Sequence, residues 1–153
     1  GILGDMNKNL GDDLDFDEIM RVINVNAIGT LRVTNALSSL VLNSTEKTIV
    51  NISSEAGSIA DCWRTGWFGY CMSKAANNMQ SALVHNNIQK LGGKVFAIHP
   101  GHVATYMRGH LDTTAKITPD VSAEGILHVV LDMPHPINSR PLYLDYTGKE
   151  LPW

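Results

Sequence analysis

Cysteines, long apolar runs and clusters of positive charge are all scarce in this sequence. Cys62 and Cys71 are the two thiols among 153 residues, which predicts free cysteines in a reducing compartment rather than a disulfide framework. No apolar run approaches the ~18 residues of a membrane span, and no signal segment opens the chain. We therefore expect a cytoplasmic protein without a membrane partner.

Charge is sparse as well, with a formal net charge of -3 and 18% charged residues. The lysines are scattered along the chain, at Lys8, Lys47, Lys74, Lys90, Lys94, Lys116 and Lys149. This pattern argues against a nucleic-acid partner, because nucleic acids are held by clustered positive charge. With 44% hydrophobic residues, residues 1–153 are long enough for one domain with a buried core.

A glycine-rich phosphate-binding turn is also missing. Gly92-Gly93 lies before a predicted strand, and no Gly-x-x-x-Gly-x-Gly follows one. The chain does alternate between helical patterns, at residues 16–42, 69–91 and 122–131, and strand-like runs, at residues 47–53, 94–99 and 141–145. This alternation predicts an α/β fold with a parallel sheet covered on both faces, and chemistry at the carboxyl ends of the strands.

Tyr70 and Lys74 indicate what that chemistry is. Four positions apart on a predicted helix, they share one face. A lysine ammonium beside a phenol favours the phenolate, so the tyrosine can exchange its proton nearer neutral pH. The pair alone is a weak signal, because Tyr-x-x-x-Lys also occurs by chance as a surface lysine beside a half-buried ring.

Three further motifs accompany the pair in a fixed order. Asn26-Ala27-Ile28-Gly29 lies in the first helical pattern, Ser53-Ser54 ends a strand, and Pro100-Gly101-His102-Val103-Ala104-Thr105 follows the next strand. Together the four motifs resemble the short-chain dehydrogenase/reductase family. Residues 56–61 and the tail at residues 143–153 resemble its C-factor and sniffer-type carbonyl reductase branch.

The resemblance implies the C-terminal portion of a Rossmann-like, doubly wound parallel sheet. It also implies an oxidoreductase that transfers hydride between NADP or NAD and a small carbonyl or alcohol substrate. In the family arrangement Tyr70 is the general acid or base, and Lys74 holds it poised and binds the nicotinamide ribose. Ser54, the last of the strand-end serines, holds the substrate oxygen, and Asn26 orders a water in a proton relay.

The resemblance further implies that Pro100, Gly101, Val103 and Thr105 lie against the cofactor, together with Tyr70 and Lys74. Each assignment has an alternative in the sequence itself. Asn26 could satisfy backbone groups of a buried helix, Ser54 could be an ordinary turn residue, and Thr105 could cap the next turn.

Aromatic residues and histidines leave other possibilities open. Trp63, Trp67 and Phe68 precede Tyr70 and could line a carbonyl-substrate pocket or cover the end of the sheet. His99 and His102 flank the Pro-Gly turn rather than share a helical face, so we predict no metal site.

Two further expectations concern the edge of the sheet and the surfaces of the long helices. The strand at residues 48–53 should have an open edge, because the neighbouring strand belongs to the family's N-terminal part. The long helices carry apolar residues on more than one side, and the family resemblance implies that they pair with a second copy, through Leu31, Val84 or Ile88, to give a homo-oligomer. A non-catalytic, C-factor-like signalling or interaction fragment is the alternative function.

Overall fold

A three-stranded parallel sheet forms the centre of this computed structural model, which describes residues 1–133 and 140–153. The strands are β1 (Thr48–Ile52), β2 (Lys94–His99) and β3 (Leu142–Asp145), and they lie in the order β1-β2-β3. β2 pairs in parallel with both neighbours. The predicted α/β fold with a parallel sheet is confirmed.

A hydrophobic core cluster lies between this sheet and the helix α4 (Pro119–Asp132). Phe96 and Ile98 of β2 pack with Val129 of α4 and Leu144 of β3, and all four side chains are buried. Burial of each such side chain contributes roughly 1.5–3 kcal/mol to folding. The helix begins earlier than the predicted residue 122, because Pro119 occupies its first turn, where the missing N–H is not needed.

The predicted helix over residues 16–42 contains an interruption. Helix α1 (Phe16–Ile23) begins at Asp15, whose carboxylate accepts the Glu18 N–H at 2.9 Å. Helix α2 (Gly29–Asn43) continues the chain. Between them, Asn24–Ile28 form a π-helical turn. Such turns insert an extra residue into a helix and are frequent at functional sites.

The long helix α3 (Phe68–Ile88) packs against α1, the π-helical turn and β2. It continues as a 3-10 turn, Gln89–Leu91, so the predicted span over residues 69–91 agrees closely. Ile88 corrects one expectation, because it is 4% exposed and is not available to another subunit. It is buried against Gly93, where even a Cβ would lie 2.6 Å from its side chain.

The outer edge of β1 has no partner strand among the described residues. A groove of about 440 Å³ runs along this edge, and α2 forms its other wall. Apolar side chains that line it include Val33, Leu37, Val41, Ile49 and Val50. The predicted open edge of this strand is therefore present in the described part of the chain.

The remaining expectations about the chain's surface concern thiols and membrane spans. Cys62 is exposed and Cys71 is half-buried, and both are free cysteines as predicted. Within residues 1–133 and 140–153, no helix combines the length and the apolar character that crossing a bilayer requires.

Candidate active site

Two serines end β1 and have different partners. Ser53 continues the strand pairing, since its N–H donates to the Ile98 carbonyl at 2.7 Å. Its hydroxyl donates to the Asn78 side chain of α3. Ser54 begins a 3-10 turn, Glu55–Gly57, and its hydroxyl oxygen accepts the Ala56 N–H at 3.2 Å. The Ser53 hydroxyl is thus used to attach the strand to the helix, whereas that of Ser54 caps the turn beside Tyr70.

Tyr70 is buried in the first turn of α3. Burial raises the pKa of Tyr70, because the phenolate would lose its hydration, and a hydrogen bond with Ser54 opposes this increase. The direction is opposite to the one that pairing with Lys74 alone would give. Burial therefore keeps the hydroxyl protonated, and Ser54 favours its ionised form.

Lys74 lies one helical turn further along α3. Its Nζ is 5.6 Å from the centroid of the Tyr70 ring and donates to the Ile52 carbonyl at 3.0 Å. The residue is 6% exposed, and burial lowers the pKa of its ammonium to about 8. The carboxyl end of β1 thus holds an amine whose proton can be exchanged near neutral pH.

Asn26 joins the π-helical turn to α3. Its Nδ2 donates to the Ile2 carbonyl at 2.8 Å and to the Ser73 hydroxyl at 3.0 Å, and its Oδ1 accepts the Ile2 N–H at 2.8 Å. Ser73 lies directly before Lys74, and its hydroxyl donates to the Tyr70 carbonyl at 2.7 Å. The Asn26 amide therefore does satisfy backbone groups, as the sequence allowed, and it does so beside the Tyr70 and Lys74 pair.

The turn after β2 has a backbone shape that depends on glycine. Gly101 has a φ of +85°, and a Cβ there would lie 2.7 Å from Ile117. Pro100 is tied to α4, because its carbonyl accepts the Ser122 hydroxyl at 2.6 Å. Val103 forms a parallel bridge with Ile117. These contacts hold the turn at the same end of the sheet as the serines.

Thr105 lies in the loop that follows this turn. Its carbonyl accepts the Asp112 N–H at 3.1 Å, and its hydroxyl accepts the Met107 N–H at 3.5 Å. Asp112 in turn accepts hydrogen bonds from Thr114 and His102. These bonds, with Thr114 giving the larger effect, hold the pKa of the Asp112 carboxyl well below its usual range. The Thr105 side chain thus has the turn-capping contact that the sequence left open.

A stack of aromatic rings and one arginine adjoins Tyr70, and sequence reasoning did not identify the arginine. The Arg64 guanidinium carbon lies 4.5 Å from the centroid of the Trp63 ring and 4.9 Å from that of Trp67. Glu55 forms an ion pair with Arg64. Trp67 meets the Tyr70 ring edge-on, with the centroids 6.4 Å apart. The spacing Trp-Arg-x-x-Trp before the tyrosine was the available signal, since arginine stacks on aromatic faces.

His99 and His102 lie on either side of the Pro-Gly turn, as the sequence indicated. Burial lowers the pKa of His99, while His102 Nε2 lies 2.8 Å from the Asp112 carboxylate. In the part of the chain that the structure describes, no group of three or more His, Cys, Asp or Glu side chains is placed to hold a metal ion.

Known proteins are similar to this chain in sequence and in fold. A family model described as short chain dehydrogenase matches residues 2–116. The chain is 35% identical over 141 residues to C-signal of Myxococcus xanthus, with 92% of this chain and 82% of that protein covered. It is 33% identical over 141 residues to 1-hydroxy-2-glutathionyl-2-methyl-3-butene dehydrogenase of Rhodococcus sp. (strain AD45), with coverage of 92% and 61%.

Several solved structures of carbonyl reductases are similar to this chain in fold. The NADPH-bound carbonyl reductase from chicken fatty liver is similar with a TM-score of 0.82 and 29% sequence identity. The similarity covers 98% of this chain and 63% of the reductase. A carbonyl reductase from Pseudomonas aeruginosa PAO1 in complex with NADP has a TM-score of 0.75 at 26% identity, with coverage of 100% and 63%. The carbonyl reductase Sniffer of D. melanogaster, at 20% identity and a TM-score of 0.82, shares the fold. The chain thus spans less than two thirds of each of these reductases.

Proposed function

This chain belongs to the short-chain dehydrogenase family, and we propose that it is the catalytic portion of an NAD(P)-dependent oxidoreductase that acts on a small carbonyl or alcohol substrate. One observation carries the proposal. Ser54, Tyr70 and Lys74 meet at the carboxyl end of β1, where the Lys74 Nζ donates to the Ile52 carbonyl at 3.0 Å and lies 5.6 Å from the centroid of the Tyr70 ring. In open α/β sheets, ligands bind at this end of the strands.

Tyr70 is the proton donor in the direction of carbonyl reduction. Its raised pKa keeps the phenol protonated until a substrate oxygen gains negative charge, and the proton then passes to that oxygen. Ser54 donates a hydrogen bond to the same oxygen and places it beside the phenol. In the reverse direction the phenolate takes the alcohol proton.

The described residues fit the nicotinamide half of a dinucleotide, NADP or NAD. The buried Lys74 ammonium has three N–H donors, of which the Ile52 carbonyl takes one, so it suits the hydroxyls of a ribose. Pro100, Gly101, Val103 and Thr105 would lie along the cofactor on the other side. When bound, the reduced cofactor supplies hydride to the substrate carbon.

Lys74 and Asn26 complete the proton pathway in this proposal. The pKa of Lys74 is lowered to about 8, so its ammonium can pass a proton towards Tyr70 and recover one from water. Asn26 orders that water in this proposal, and its backbone carbonyl accepts the Thr30 hydroxyl at 2.9 Å.

Replacement of Tyr70 tests the proposal directly. Tyr70→Phe keeps the ring and removes the proton, so carbonyl reduction should fall by on the order of 10²-fold or more with little change in stability. Tyr106→Phe is the matched control, because Tyr106 is 71% exposed and its hydroxyl has no role in the mechanism. Steady-state rates in the protein that contains this chain provide the measurement, and a fully active Tyr70→Phe enzyme removes Tyr70 from the mechanism.

A second candidate function is a non-catalytic signalling or interaction fragment. The observation that favours it is coverage, because the chain spans 82% of C-signal but 61% of the Rhodococcus dehydrogenase. A coding frame that places a strand, a Gly-x-x-x-Gly-x-Gly turn and a helix before Gly1 would favour the enzyme instead.

Calorimetry with NADH and NADPH distinguishes the activity of this chain from that of a longer protein. We expect weak binding or none to these 153 residues, because a dinucleotide pyrophosphate is normally held by glycine-turn amides at a helix N-terminus. Micromolar binding would show that the chain is sufficient by itself and would contradict both the incomplete-enzyme proposal and the signalling alternative.

We also propose a homo-oligomer, formed through the long helices. Exposed apolar side chains on both helices support it, namely Leu31, Val33 and Leu40 of α2 and Met72, Met79 and Leu83 of α3. A cytoplasmic location remains a prediction from composition.

A further inference from the structure

Asn78 bridges both ends of the turn that carries Ser54. It lies on α3, one helical turn after Lys74, and it is buried. Its Oδ1 accepts the hydroxyl of Ser53, directly before Ser54, and its Nδ2 donates to the Gly57 carbonyl at 3.2 Å. One amide group therefore attaches the two flanks of the Ser54 turn to the helix that carries Tyr70.

The hydrogen-bonding partners of the Asn78 amide determine which way its nitrogen and oxygen face. The Gly57 carbonyl can only accept a hydrogen bond, so the amide nitrogen must face it. The oxygen then faces Ser53, whose hydroxyl is able to donate. Each polar atom of Asn78 thus makes one hydrogen bond to the turn, and the second N–H of the amide remains for Tyr143.

The turn is held from two other directions. The Tyr143 hydroxyl donates to the Ser54 carbonyl, and the Tyr143 ring packs on Trp153 at 5.2 Å between centroids. Burial raises the pKa of Tyr143 to about 12, although a hydrogen bond with Asn78 opposes the increase, so its hydroxyl stays a donor. A Cβ on Gly57 would lie 2.8 Å from the Lys74 carbonyl, so the turn rests against the α3 backbone.

We propose that Asn78 is a positioning residue that fixes the turn carrying Ser54 against α3 and so keeps the Ser54 hydroxyl beside Tyr70. The proposal rests on the proposed function for its catalytic consequence, but its structural content can be measured without turnover. If Asn78 acts through Ser54, its loss should weaken the effect of the Ser54 hydroxyl on the pKa of the phenol.

The pKa of Tyr70 reports this contact. Apart from burial, Ser54 and Arg64 lower it, whereas Cys71 and Glu55 raise it, and the Lys74 ammonium lies over the ring. Glu55 lies on the turn that Asn78 holds, so a movement of Glu55 away from Tyr70 would lower the pKa, whereas loss of the Ser54 contact should raise it. A rise in the pKa of Tyr70 therefore reports the loss of the Ser54 contact.

The experiment is a fluorine NMR titration of the protein labelled with difluorotyrosine, whose phenol ionises nearer neutral pH than that of tyrosine. Four tyrosines give four signals, and Tyr70→Phe identifies the relevant one. Ser54→Ala should raise the pKa at position 70 by about one pH unit, because a hydrogen bond to a charged group is lost. Asn78→Ala should raise it in the same direction by a smaller amount.

The double variant Ser54→Ala/Asn78→Ala gives the clearest test. If Asn78 acts through Ser54, the pKa at position 70 should be the same in the double variant as in Ser54→Ala. Asn87→Ala, at an exposed position of the same helix, is the matched control and should leave the pKa unchanged. If Asn78→Ala fails to fold, Ser53→Ala removes one of the two bridge contacts and should give a smaller increase.

Two results would overturn the proposal. One is an Asn78→Ala or Ser53→Ala protein that folds and leaves the pKa at position 70 unchanged while Ser54→Ala shifts it. The other is an Asn78 effect of equal size in the Ser54→Ala background. Neither result depends on hydride transfer, so a protein without reductase activity could still confirm the role of Asn78, and an active enzyme could still refute it.

Discussion

Helices α3 and α2 use polar and apolar residues in opposite ways. α3 buries a polar face, which consists of Ser73, Lys74, Asn77, Asn78, Gln80, Ser81 and His85. α2 has no buried residue, and it exposes apolar side chains that include Val33, Leu37 and Leu40. Globular helices usually show the reverse arrangement, with an apolar stripe inside and polar groups outside.

The polar face of α3 fixes the position of the helix through directional contacts. Ser73 accepts from Asn26, Ser81 accepts the Asn51 amide at 2.8 Å, and Asn78 holds the Ser54 turn. Apolar packing alone tolerates small shifts, whereas buried hydrogen bonds specify one geometry and penalise any other. Such a helix suits a site that must hold Tyr70 and Lys74 in place.

The apolar face of α2 lacks this directional information. Together with the open edge of β1 it forms the groove of about 440 Å³, and contiguous exposed apolar surface of this kind marks an interface. We therefore propose that the polar face of α3 serves the chemistry and that the groove along α2 and β1 takes part in association, and three sets of substitutions separate the two roles.

The largest effect should come from Lys74→Met, which removes the charged member of the polar face. Turnover should fall by on the order of 10²-fold or more, because proton transfer to Tyr70 is lost. The stability of the protein should change in a distinct way. The pKa of Lys74 is about 8 in the folded protein and 10.5 in the unfolded chain, so the unfolded state binds more protons between these values. The free energy of unfolding should therefore rise with pH from about 8 to 10.

Urea unfolding at several pH values between 7 and 10 measures this dependence. Lys74→Met should lose the increase and should be as stable as the parent or more stable at pH 7, where the buried ammonium disfavours folding by on the order of 2–3 kcal/mol. Lys90→Met, at an exposed position after α3, should keep the pH dependence of the parent. Parallel curves for the parent and Lys74→Met would show that the Lys74 ammonium is not buried as described.

The next effect concerns association through α2. Val33→Lys and Leu37→Lys place charge in the groove, so light scattering should show a smaller assembly for the double variant than for the parent chain. Leu131→Lys on α4 is the control, because Leu131 is also exposed but lies outside the groove. A parent chain that remains a strict monomer at high concentration contradicts both the groove interface and the homo-oligomer.

The strands and the main helices could be predicted because their signals are local. β2 begins and ends where the sequence predicts, at Lys94 and His99, since a buried parallel strand is a short run of apolar and β-branched residues. α3 has the periodicity of a helix, and the motif order places Ser54 and Tyr70 at one end of the sheet. Their assignment as site residues depends on the ordered motifs and the family resemblance, because the spacing of Tyr70 and Lys74 alone is a weak signal.

The remaining features depend on contacts between distant residues. The π-helical turn at Asn24–Ile28 keeps a continuous helical pattern in the sequence, and only the backbone bond from Gly29 to the Asn24 carbonyl distinguishes it. The pKa of Tyr70 rises because of burial, which spacing does not report. The role of Asn78 cannot be predicted from its sequence position, because its contacts with Ser53 and Gly57 form only in the folded chain.

The smallest effects, of opposite sign, should come from adding one methyl group to each helix region. In Gly57→Ala the new Cβ would lie 2.8 Å from the Lys74 carbonyl, so the Ser54 turn must move away from α3. Such overpacking should lower the free energy of unfolding by about 1–3 kcal/mol. In Gly29→Ala the nearest contact is 3.4 Å, and alanine favours the helix over glycine by up to ~1 kcal/mol, so α2 should gain stability. Urea unfolding of both variants at pH 7 tests this difference.

Gly29→Ala could instead destabilise the protein as much as Gly57→Ala does. In that case the π-helical turn requires the glycine that follows it, and the first turn of α2 is as tightly constrained as the polar face of α3.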